Sequence, residues 1–78
     1  MEKFSQEELT AYLMQNNDEF RALAEKHAEY KRQIEMIEAK PHLTPEDEVE
    51  EHRLKKLKLH VKDQMHQILN RYRTSQVA

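Results

Sequence analysis

Apolar positions recur along the middle of the chain at helical intervals. Phe20, Leu23, His27, Tyr30, Ile34 and Ile37 stand three and four residues apart, the spacing that lines side chains up on one stripe of a helix. Leu54, Leu57, Val61, Met65, Ile68 and Tyr72 form a second series. Its mean step is about 3.6 residues, the period of a straight helix rather than of a strict supercoil. Nearer the start, Leu9 and Leu13, with Tyr12 beside them, give a shorter stretch one apolar face.

Capping signals divide these series into elements. Ser5 with Glu8 three residues on is a capping box, in which hydroxyl and carboxylate satisfy backbone N–H groups that a helix start leaves orphaned. The first helix is therefore expected over about residues 5–16. Asn16-Asn17-Asp18 combines low helix propensity with a preference for caps, so the chain breaks there or kinks within one long helix. A second helix is expected over about 18–39. Pro41 stops it at Lys40, and residues 40–44 form a loop. Thr44 as N-cap, Pro45 at the first helical position and acids in the first turn open a third helix over about 45–72. Thr74 to Ala78 are expected to fray. A short loop between two amphipathic helices predicts an antiparallel two-helix hairpin, coiled-coil-like, preceded by a short N-terminal helix or kinked extension. Level pairing about the loop sets Tyr30 against Leu54, His27 against Leu57, Leu23 against Val61 and Phe20 against Met65, with the first segment near Ile68 and Tyr72. The fold class is all-α, and residues 1–78 make a single domain.

Composition narrows the function classes. The chain has no Gly and no Cys. That removes Gly-rich phosphate loops, Gly-dependent hairpin turns, disulfides and thiolate zinc sites. Only 37% of residues are hydrophobic, so a monomer would be marginally stable and self-association or a partner is expected. The longest apolar run is Ala11-Tyr12-Leu13-Met14, and Met1-Glu2-Lys3-Phe4 lacks the layout of a signal peptide. A cytoplasmic location with no membrane span is expected.

Charge is uneven. Residues 41–52 carry five acids and no Lys or Arg, whereas residues 53–73 carry seven bases and one acid, Asp63. Acid at the start of a helix and base towards its end suit the helix dipole. Lys55, Lys58 and Lys62, with Arg73 further on, read as a basic stripe opposite the apolar face, able to bind nucleic acid non-specifically or simply to solvate the helix back. Met36, Leu59 and Leu69 fall off the main apolar stripes and are candidate partner contacts together with those lysines. Glu48 and His52 are four apart but lack a third ligand at matching spacing, and His60 and His66 point to different sides, so no metal site is expected. His27 sits on the apolar stripe as a polar interface residue, with a pKa below that of exposed histidines if no acid reaches it. The scattered Ser and Thr residues fit caps and helix surfaces, so neither catalysis nor a cofactor is expected.

Phe20, Leu23 and His27 in Phe-Arg-Ala-Leu-Ala-Glu-Lys-His, followed by Ile34, resemble the first helix of the small bacterial YdcH-like family. Leu54-Lys55-Lys56-Leu57-Lys58-Leu59, then Lys62-Asp63-Gln64-Met65 and Ile68-Leu69, are similar to its second helix. The resemblance covers about residues 16–70. Family members often have Pro where this chain has Asp18, which favours a break there. The resemblance implies a helical hairpin of unknown function and supplies no catalytic or ligand residues. The function expected is a non-catalytic interaction or structural module acting through helix packing, as a homo-oligomer or on another helical protein. The alternative is a nucleic-acid-binding accessory protein.

Overall fold

The structure, a computed structural model, describes the backbone of residues 5–77 and the side chains of residues 5–73. Over those residues the chain forms helices α1 (Gln6–Asn16), α2 (Asp18–Glu38) and α3 (Pro45–Val77), with no strand. At 1.5 Å per residue α3 would span about 50 Å, and the longest dimension of the molecule is 51 Å. This helix is therefore the spine against which α2 packs. Glu38 meets Lys55 near the loop, and Asn17 meets Tyr72 at the far end, as a hairpin requires.

Each helix start carries the cap its sequence predicts. Ser5 and Glu8 exchange two hydrogen bonds of 3.2 Å. Thr44 Oγ1 accepts from the Asp47 N–H, and Asp47 Oδ2 accepts from the Thr44 N–H, both at 3.1 Å. Lys40 then ties the same carboxylate to the end of α2 at 2.8 Å.

The stretch at residues 16–18 breaks rather than kinks. Asn17 is extended, with φ −125° and ψ 108°. Its N–H closes α1 on the Leu13 carbonyl at 2.9 Å. Its Oδ1 opens α2 by accepting from the Phe20 N–H at 2.8 Å. From the first turn of α2, Arg21 donates to the carbonyls of Met14 and Gln15 at 2.9 and 3.0 Å, so α2 supplies the cation that the last turn of α1 lacks.

This corner lays α1 over the far end of the hairpin. Leu9, Leu13, Phe20, Ile68 and Leu69 form one buried cluster, with Leu23, Met65 and Tyr72 packed against it. Ile34, Leu54 and Val61 continue the buried seam towards the loop.

Four expectations change. Leu69, expected off the main faces, is buried at 5% exposure. It lies about 60° round α3 from the line through Leu54, on the flank that α1 covers. Helix α3 runs to Val77 rather than ending near Tyr72. No Gly or Pro follows Tyr72, so nothing stops the helix there. Thr74 to Val77 are helical instead of frayed, and Ala78 lies outside the described residues. Cross-helix neighbours are also shifted. Leu54 shares a hollow with Gln33, Met36 and Ile37, closer to the loop than level pairing with Tyr30 implies. Side chains tilt towards the N-terminus of their own helix, so in an antiparallel pair those of α3 lean to the loop and those of α2 away from it. The fourth change concerns the lysine stripe and belongs with the site.

Candidate functional site

The loop end of the hairpin is a charged clasp. Lys55 Nζ lies 3.3 Å from Glu38 and 3.8 Å from Glu51. A proton shared between these two carboxyl groups would sit on Glu51: the pairing, with Lys55 behind it, holds Glu38 below its ordinary pKa and pushes Glu51 above its own. Lys55 thus spends its charge inside the fold.

Lys58 does not stand on the outer back of α3 as the stripe read from sequence has it, whereas Lys62 is exposed. Lys58 lies only about 40° from Leu54 round the helix and is half-buried. Both lysines lie close enough to His27 to lower its pKa, behind the larger effect of burial and ahead of Lys31. The drop expected for His27 is present, and its causes are a partly apolar setting and a ring of cations.

The remaining candidates split. Met36 and Leu59 are exposed, at 62% and 59%, as partner contacts must be. Val49, not singled out from sequence, is exposed as well. A shallow hollow of about 290 Å³ lies between the helices at the loop end, lined by Gln33, Met36, Ile37, Lys40, Glu50 and Leu54. No group of three or more metal-ligating side chains converges among the described residues, and Glu48, His52, His60 and His66 are all exposed. No described helix is long and apolar enough to cross a membrane.

A family model described as a protein of unknown function, DUF465, matches residues 20–69. The chain belongs to the DUF465 family. The matched segment starts at Phe20 and ends at Leu69, both in the buried cluster, so DUF465 covers most of α2, the loop and the first three-quarters of α3. The whole of α1 lies before the DUF465 segment, yet it supplies Leu9 and Leu13 to the same cluster. No curated protein and no solved structure matches the chain. The family description assigns no activity, so no residue role passes to this DUF465 chain from a relative.

Two side chains that matter here had no motif to announce them. Arg21 clamps the α1–α2 corner, and its sequence neighbours give no sign of that. Lys31 joins the cations round His27. Its signal was its spacing of seven from Glu38, which acquires meaning only once Glu38 is known to face Lys55.

Proposed function

We propose that this DUF465 chain is a non-catalytic module that acts through helix–helix packing, on a second copy of itself or on the helices of another protein. The supporting observation is the uneven cover of the seam. Helix α1 roofs the far end, whereas at the loop end the hollow beside Met36, Ile37 and Leu54 stays open. Exposed Met36, Leu43 and Val49 lie at that same end. The accessible surface of 6046 Å² exceeds the roughly 5,000 Å² typical of a compact chain of this mass. The excess is comparable to the roughly 800 Å² that one partner buries in a standard interface.

The YdcH-like identity, the coiled-coil character of the α2–α3 pair and a cytoplasmic location belong to the same proposal. Nucleic-acid binding through Lys55, Lys58 and Lys62 is less favoured, because Lys55 is already shared between two carboxylates. A gel shift that weakens with salt would restore it.

Light scattering across a concentration series, followed by affinity capture and mass spectrometry, tests the main proposal. A mass that rises with concentration, or a captured helical partner lost in Met36→Glu, is expected. A strict monomer that captures nothing would overturn it.

A further inference from the structure

Glu38 and Lys55 touch across the α2–α3 pair at 3.3 Å, which fixes the flank that the two helices share. Seven residues make nearly two helical turns. Moving seven residues back along α2 and seven on along α3 therefore stays on that flank, and the move leads to Lys31 and Lys62. His27 stands four residues before Lys31, and Lys58 four before Lys62, each one turn away on its own helix and nearer the seam. The register that sets acid against base near the loop thus gathers four basic groups halfway along the hairpin. His27 and Lys58 are half-buried, and Lys31 and Lys62 are exposed.

No lysine of this cluster is in an ion pair among the described residues, and the one carboxylate that reaches it electrostatically is Glu38, which acts on Lys58 from the loop side. Glu35, four residues from Lys31, makes no such pair with it either. Like charges held together oppose folding, and one acid at either facing position would relieve them, as Glu38 relieves Lys55.

We propose that His27, Lys31, Lys58 and Lys62 form a binding site for a single phosphate group carried by a small molecule. Lysine ammonium groups on separate flexible arms offer several donors to the oxygens of one phosphate. His27 adds a further donor when protonated, so a bound phosphate draws a proton onto the imidazole. A long polyanion fits less well. One step towards the loop the flank turns acidic at Glu38 and Glu51, and the first turn of α3 adds Glu46, Asp47 and Glu48. This site is independent of the helix-packing surface at the loop end.

NMR of the imidazole signals tests the site, with inorganic phosphate and pyrophosphate titrated at constant ionic strength. The His27 pKa should rise saturably with either anion, while the imidazole signals of His42, in the loop, should not move on addition of anion. Lys62→Gln should weaken binding roughly fivefold, and Lys56→Gln, on the exposed side of α3, should not. Lys62→Glu should abolish the phosphate effect and raise the melting temperature, because its carboxylate would face Lys31. The site is overturned if His27 shows no saturable shift, or if Lys56→Gln and Lys62→Gln weaken binding equally. It is also overturned if a short single-stranded oligonucleotide or phosphatidylglycerol vesicles bind tighter per phosphate than pyrophosphate does. An unchanged or lower melting point in Lys62→Glu would refute the facing of Lys31 and Lys62.

Discussion

Asn17 closes one helix with its backbone and opens the next with its side chain, and its Nδ2 donates to the Tyr72 hydroxyl at 3.4 Å. Replacing it with Ala should cost about 1 kcal/mol through the lost cap, visible as a lower melting temperature. Thr44→Ala should cost a similar amount, since the Thr44 hydroxyl caps Asp47. Arg21→Gln, which leaves the Met14 and Gln15 carbonyls without their cation, should speed amide exchange in α1 more than in α3. Acid acts on two residues in turn. His27 is held below its ordinary pKa, so the unfolded chain takes up its proton first. Stability should begin to fall as pH drops below about 6.5. The fall should continue until the pH passes the folded-state pKa of His27. Asp47 is held low by Lys40 and then by Thr44. Its contribution is present above the ordinary aspartate pKa and is lost as pH falls through its folded value. Thermal melts of the protein and of His27→Gln between pH 7 and 5 check the first step, because the variant should lose that slope.

Helix α1 joins the buried cluster through Leu9 and Leu13 and is clamped at its corner by Arg21. Leu13 is fully buried, and Leu13→Ala should cost about 2–5 kcal/mol, measurable by urea unfolding. The starts of all three helices were legible in sequence because caps are local chemistry. Ser5 with Glu8, and Thr44 with Asp47, each need only a residue and its neighbour three places on. The burial of Leu69 was not legible. It depends on α1 folding back across α3, and nothing within α3 carries that information. The orientation of Lys58 was readable from helical geometry, since it stands four residues from Leu54, but a run of lysines disguises a position next to the seam. The end of α3 at Val77 shows the same limit from the other side. Sequence marks a stop by a breaker, and this helix has none after Tyr72.

For the molecule as a whole, Leu54 is the most telling position. It is 1% exposed and lies where α2 and α3 close on each other near the loop. Leu54→Asp should bury a charge with no partner and unfold the hairpin; a retained helical spectrum and melting point would count against this seam. The connections carry a further consequence for how the chain reaches its structure. One residue joins α1 to α2, and Ala39 to Thr44 join α2 to α3. Chain closure over such short spans costs little entropy before the seam begins to return it, and low contact order gives folding in the microsecond-to-millisecond range. The hairpin should zip outward from the Thr44–Asp47 box, with α1 settling last. In stopped-flow or temperature-jump traces, Ile34→Val should slow refolding, whereas Leu13→Ala should leave refolding almost unchanged and speed unfolding.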